Sequence, residues 1–288
     1  AMYYAKDKGK GRYEVFDDSM QKKVQNALRL ESDIRKAIAA SEFIPYFQPI
    51  VRLSSNAVVG FEALARWQSH KRGFVYPNDF IPLAEETGLV MAIDLQILEK
   101  SCRQLKHWQK QLNRKDLYVS CNLFCNHFFS PTLADDISAI LKRIGLCAKH
   151  LRLELTERAL LENSELVLTN MKALKQLGVK ILLDDFGTGY SSLGYIRKLR
   201  FSTIKIDRTF VIGAAQQSAE SLAIIRAVVA MAQSLEMTTT AEGVETPEQA
   251  QLIRELGCDK IQGYYFGRPM SAEDAGRIFA AQTKQQRA

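Results

Sequence analysis

From Phe43 onward, short runs rich in β-branched and aromatic residues alternate with longer stretches whose apolar positions recur every three or four residues. Tyr46–Leu53, Val58–Trp67, Leu117–Leu123, Leu151–Leu155, Val179–Asp184, Thr203–Ile206, Thr238–Glu242 and Lys260–Tyr264 read as strands. Between them, Asp94–Asn113, Pro131–Ile144, Ser164–Leu177, Glu220–Leu235 and Pro247–Leu256 read as helices. Gly145, Gly178 and Gly257 follow three of these, where a left-handed residue ends a helix. Such alternation predicts a parallel sheet wrapped by helices, and this many strands can close an α/β, TIM-like β/α barrel. The first two runs stand too close together for a helical crossover, so the barrel is expected to open with an antiparallel strand.

Ahead of the barrel, Val24, Ala27, Leu28, Ile34, Ala37 and Ile38 recur at helical spacing through a charged segment. The expected division is residues 1–18 as the end of a preceding domain, 19–40 as a helical connector and 41–288 as one large domain. The opening AMYYAKDKGKGR lacks an apolar signal core and reads as a cut from something longer, and the polar tail from Gln282 reads as frayed.

Composition narrows the class. With 47% hydrophobic and 25% charged residues the chain is an ordinary globular one. Its long apolar stretch, Leu222–Leu235, is broken by Arg226, short of the roughly 20 residues a membrane span needs, so no membrane contact is expected. A formal charge of +7 favours an anionic partner, but the basic residues are scattered, which speaks against a nucleic-acid polymer and for a solvated basic surface. Five cysteines without paired spacing read as free thiols in a reducing cytoplasm, either in a free protein or in the cytoplasmic part of a membrane-anchored one. His70, His107, His127 and His150 share no metal-binding spacing.

The candidate chemistry lies at the strand ends. Glu62 in GFEALAR, Asn122 in SCNLF, Glu154 and Glu157 in RLELTER, Asp184 and Asp185 in LLDDFGTGYSS, Lys205 in IKIDR, Glu242 and Glu245 in AEGVE, and Gln262 in IQGYYF each follow an apolar run. In a β/α barrel those ends converge on one mouth. Any one acid there is most often a helix cap or a surface ion pair, but their recurrence calls for cations, and hard oxygen donors select Mg²⁺ or Mn²⁺ over zinc. Lys205 stands as either structural counter-charge or catalytic cation. The turn signalled after Asp185 can bring both adjacent aspartates inward.

The strings EALAR at 62–66, LELTE at 153–157, DDFGTGYSSL at 184–193, KIDR at 205–208, AEGVET at 241–246 and QGYYFGRP at 262–269 resemble the EAL family of bacterial cyclic diguanylate (c-di-GMP) phosphodiesterases, and AMYYAKDKGKGRYEVF resembles the end of a GGDEF domain. The resemblance implies hydrolysis of this second messenger to a linear dinucleotide (pGpG). It implies two Mg²⁺ or Mn²⁺ on Glu62, Asn122, Glu154 and Asp184, with Asp185 completing the shell of the second metal, and inhibition by Ca²⁺. Lys205 and Glu242 would handle the water, with Glu242 either base or ligand. Gln48, Leu64, Arg66 and Tyr265 would contact substrate. Glu245 and Gln262 would support the site, and Glu157 would brace the DDFGTGYSS loop that leads to a homodimer interface. Ala65 in place of the usual Leu, and Phe124 where a small residue is usual, depart from the pattern, and Phe124 is expected to narrow the mouth and slow turnover. The alternative from another class is a catalytically weak c-di-GMP receptor or interaction module, and a second is a proton-abstracting barrel enzyme.

Overall fold

The computed structural model describes residues 18–157, 165–187, 196, 199 and 201–285. Its strands are β1 (Phe43–Arg52), β2 (Ala57–Ser69), β3 (Gly73–Val75), β4 (Tyr118–Asn122), β5 (Leu151–Thr156), β6 (Lys180–Phe186), β7 (Thr203–Ile206), β8 (Thr238–Ala241) and β9 (Lys260–Gln262). They run in the order β1-β9-β8-β7-β6-β5-β4-β2-β3, and β1 also pairs with β2. That pairing closes an eight-stranded barrel with β3 appended to β2. All neighbours from β2 through β4 to β9 are parallel, whereas β1 is antiparallel to both β2 and β9, as the short gap after Leu53 predicts.

Around the barrel lie α1 (Asp18–Ala39), α2 (Pro77–Glu86), α3 (Val90–Gln111), α4 (Leu133–Ile144), α5 (Glu165–Leu177), α6 (Arg208–Ala215), α7 (Ala219–Ser234), α8 (Pro247–Glu255) and α9 (Ala272–Gln285). Each of the periodic stretches holds a helix, with bounds that differ from the expected ones by up to four residues at an end. Gly145 ends α4 at φ 69°, and α8 opens on a capping box between Thr246 and Gln249 with Pro247 behind it. Caps of this kind contribute about 1 kcal/mol each. The last helix, α9, runs on to Gln285, and the end of the polar tail, 286–288, lies outside the described residues. Residues 1–17, and with them most of the expected domain remnant, lie outside the described residues, as do 188–192 of the DDFGTGYSS string.

The apolar core fills the shell between sheet and helices rather than the bore. Phe43, Phe47, Phe61, Trp67, Phe80 and Trp108 are buried there, with Phe47 edge-on to Trp108 at 4.8 Å. Each such side chain contributes about 1.5–3 kcal/mol by leaving water. This rigid outer shell leaves the inward-facing positions free to carry polar groups, held at fixed spacing by the strands. Among the described residues no helix is long and apolar enough to cross a membrane.

Candidate active site

Alternation along each strand sends every second side chain into the bore. Gln48 and Glu62 are directly opposed across β1 and β2, Asn122 is opposed to Glu154 across β4 and β5, and Lys205 follows from β7. Lys205 sits at the centre, 2% exposed. Its Nζ donates to Glu154 Oε2, lies 2.7 Å from Glu242 Oε1 and 3.1 Å from Asp184 Oδ1, and reaches Glu62 Oε2 at 3.5 Å. Asn122 Nδ2 donates to Glu62 Oε1 at 2.7 Å, and Gln262 Nε2 donates to Gln48 Oε1 at 3.0 Å and also to Glu62 Oε2. One connected network thus joins Gln48, Glu62, Asn122, Glu154, Asp184, Lys205, Glu242 and Gln262.

A register break in β6 between Leu183 and Phe186 resolves how neighbouring aspartates share this mouth. Asp185 adopts φ 53°, and its N–H bonds the Asp184 carboxylate at 3.0 Å. The bulge cancels the usual alternation, so Asp184, Asp185 and Glu242 each offer an oxygen within 4.8 Å of the others. Just beyond, Gly187 (φ 98°) donates its N–H to Glu157 Oε2 at 3.1 Å, which ties the end of β6 to β5. A Cβ at Gly187 would also meet the Phe210 ring at 2.8 Å.

Charge in the mouth is unbalanced. Burial, then Glu62, raises the Glu154 pKa well above the carboxylate range, with Lys205 opposing. Glu242 is pushed up to about 8, chiefly by burial and then by Asp184 and Glu62 against the lowering effect of Lys205. Burial and then Asp184 raise Asp185. Burial alone would lower Lys205, but Asp184, Glu154, Glu242 and Glu62 outweigh it and drive it well above its usual value. One ammonium serves four carboxylates, with Asp185 beside them. Glu154 Oε1 is buried with no hydrogen-bond partner among the described residues.

Two clefts open on the network. A small one of about 260 Å³ is lined by Gln48, Glu62, Asp184, Lys205, Glu242 and Glu245. A larger one of about 810 Å³ is bounded by Leu64, Asn122, Phe124, Glu157 and Asp185. Asn122 and Glu62 therefore meet at the partition between them. Arg66 lies over the Tyr46 ring at 5.4 Å, and burial lowers its pKa. Tyr265 is 43% exposed, stacked edge-on against Phe266 at 4.6 Å. Glu245 is peripheral, 3.8 Å from Arg208.

Residues 31–269 match the EAL domain family. The chain belongs to the EAL domain family. The bifunctional diguanylate cyclase/cyclic di-GMP phosphodiesterase MucR of Pseudomonas aeruginosa is 39% identical over 273 residues, covering 95% of this chain and 40% of that protein. The cyclic di-GMP phosphodiesterase PdeR of Escherichia coli is 36% identical, covering 94% of this chain and 40% of the relative. This EAL domain thus spans about two fifths of those proteins. Among solved structures, the PaMucR phosphodiesterase in complex with c-di-GMP is 37% identical with a TM-score of 0.81, over 86% of this chain and 99% of that one. The EAL enzyme Bd1971, in its form with cAMP and cyclic di-GMP bound, is 29% identical with a TM-score of 0.83, over 89% of this chain and 70% of that one.

The donor set of this EAL domain fits a divalent cation. Its ligand atoms are carboxylate and amide oxygens, one of them buried without a partner, in a mouth with more negative charge than Lys205 neutralises. Several residues of the mouth escape a reading by strand ends. Asp94, on α3, accepts the Phe124 N–H at 2.8 Å and faces His127 Nε2 at 3.4 Å, and so holds the loop that follows Asn122. Asp207, Arg208 and Tyr264 line the small cleft. The signal for Asp94, a lone acid among apolar helix positions, was present in the sequence.

Proposed function

We propose that this EAL domain hydrolyses c-di-GMP to linear pGpG, using two Mg²⁺ or Mn²⁺ held by Glu62, Asn122, Glu154, Asp184 and Asp185. The observation that carries the reading is the ring of strand-end acids around Lys205, in a chain similar to proteins named as c-di-GMP phosphodiesterases. Bound divalent cations would supply Lewis-acid stabilisation of phosphoryl charge and an acidified water.

The chain's own groups do the remainder. A water oxygen adds to one phosphorus, one P–O ester bond breaks, and the proton released by the water ends on the departing ribose oxygen. Lys205 Nζ, held in place by four carboxylates, offsets negative charge as it grows on the phosphoryl oxygens. Glu242, in contact with Lys205, takes the water's proton. Gln262 fixes Glu62 and Gln48 together. Arg66 pairs with a substrate phosphate, Leu64 lines the base-binding wall, and Tyr265 stacks near a guanine. Glu157 braces the end of β6, and Glu245 orients Arg208.

Residues 1–18 as the end of a GGDEF domain, a homodimer formed through the EAL domain and a cytoplasmic setting complete the proposal. Its test is incubation of the purified protein with c-di-GMP and Mg²⁺, Mn²⁺ or Ca²⁺, with products followed chromatographically. Linear dinucleotide with the first two and little with Ca²⁺, whose larger radius loosens the ligand set, is the expected result. Tight binding without product under Mg²⁺ and Mn²⁺ would make the domain a receptor instead.

A further inference from the structure

The strands that carry acids to the C-terminal mouth carry cations to the other end of the bore. Arg152, Lys180 and Lys260 precede Glu154, Asp184 and Gln262 by two or four residues and share their inward face. Arg152 is opposed to Lys180 across β5 and β6, and Arg52 to Lys260 across β9 and β1. Two strand pairs therefore bring four cations to the N-terminal end of the barrel.

Among the described residues, none of the four has a carboxylate ion-pair partner. The neighbouring acids are already engaged: Asp259 accepts from the Thr239 N–H at 2.8 Å and hydroxyl at 3.1 Å, and Asp116 takes Arg114 with both oxygens at 2.7 Å. Lys260, 6% exposed, donates to the Thr238 hydroxyl at 2.7 Å. The Arg152 guanidinium lies 3.2 Å over the Tyr118 ring, and its Nε is buried without a partner among the described residues. Ser120, opposed to Arg152 across β4 and β5, is fully buried with its hydroxyl also unpartnered. The Tyr118 ring occupies the space above Gly60, where a Cβ would come within 2.6 Å of it. With Ile50 and Val59 that ring forms a small buried cluster apart from the main core.

A buried cation without a counter-charge costs several kcal/mol. The crowding registers on the groups themselves. Burial first, then Arg152, Lys180 and Arg52, push Lys260 down to about 7 against the opposing Asp259. An entering anion would relieve all four cations and meet the orphaned Arg152 Nε and Ser120 hydroxyl. Arg152 and Lys260 are more covered than the exposed Arg52 and Lys180, a gradient that favours a small ion over a bilayer or polymer.

We propose that the N-terminal mouth of the barrel is a binding site for a small oxyanion of the phosphate class, held by Arg152 and Lys260 in the bore and drawn in by Arg52 and Lys180 at the rim. The arginine fork and the ammonium supply directed donors to a tetrahedral oxyanion. This site is independent of the catalytic reading, since it shares no residue with the acid ring.

The test uses the whole chain, freed of divalent cations with EDTA and titrated with inorganic phosphate at constant ionic strength made up with chloride. Calorimetry and thermal melting should both report saturable phosphate binding. Arg52→Ala and Lys180→Ala, at exposed rim positions, should each weaken it about two- to fivefold. Arg152→Met should weaken it at least about tenfold. A response to phosphate no greater than to chloride would overturn the proposal, and so would undiminished phosphate binding in the Arg52→Ala/Lys180→Ala double variant. Because the rim variants touch no core, that second result decides the matter even if Arg152→Met does not fold.

Discussion

Glu154 and Arg152 stand two residues apart on β5 and face the same bore, yet their surroundings are opposite. At the C-terminal mouth the acids are tied into a network by Lys205, Asn122 and Gln262 and still leave a surplus of negative charge. At the N-terminal mouth the cations have a hydroxyl and an aromatic face for company and, among the described residues, no carboxylate ion pair. Alternation sends side chains into the bore at both ends, so charge left over after internal pairing tells what each end is suited to hold. One end suits divalent cations and a phosphodiester, the other a small anion.

The largest expected effect sits in the acid ring. Glu62→Ala removes the group that joins Asn122, Gln262 and Lys205, and turnover with Mg²⁺ or Mn²⁺ should fall by more than the roughly 10- to 100-fold seen on losing a partner one shell out from a metal. Steady-state assays check this, and near-normal turnover would remove Glu62 from the metal shell. Lys205→Met tests what counters the acids in the absence of metal. It strips a buried charge from its partners, and urea unfolding of the EDTA-treated protein should show a loss of about 3–5 kcal/mol. Added Mn²⁺ should then stabilise the variant more than the parent, and equal stabilisation of the two would contradict cation replacement of the lysine.

Lys260→Met sharpens the other side of the comparison through pH. The folded protein holds Lys260 at about 7 and the unfolded chain at its ordinary value near 10.5. Below pH 7 both states are protonated and the cost of burying the charge is complete. Between pH 7 and about 10.5 the folded state sheds its proton first, so the parent gains stability as pH rises, by a few kcal/mol at most. The methionine variant should therefore exceed the parent most at pH 6 and lose that advantage by pH 10 in urea unfolding. A pH-independent difference would show that Lys260 titrates normally. The smallest effect is expected from Asp94→Asn, which keeps the shape but weakens the acceptor for the Phe124 N–H, with a loss of about 1–2 kcal/mol in the same measurement.

Much of this was legible in the chain. Short apolar runs ending in Glu62, Glu154, Asp184 and Glu242 announce both the barrel and its acid mouth, because strand ends in this architecture have one place to converge. What escaped is of three kinds. The bulge at Asp184–Asp185 is a backbone event, and no side-chain pattern encodes φ 53° at an aspartate. The α2 helix contains Pro82, and α6 spans only Arg208–Ala215, so neither offers a long periodic signal, while the three-residue β3 falls below any strand pattern. The cations of the N-terminal mouth are scattered through Arg52, Arg152, Lys180 and Lys260 and read in sequence as a solvated surface. Only the register of β5 with β6 and of β1 with β9 brings them together.

The most direct measurement of the central claim is anomalous diffraction from crystals grown with Mn²⁺. Two manganese peaks enclosed by Glu62, Asn122, Glu154, Asp184 and Asp185 are the predicted result. An acid ring without manganese density at saturating Mn²⁺, in protein that still converts c-di-GMP to its linear product, would contradict the account.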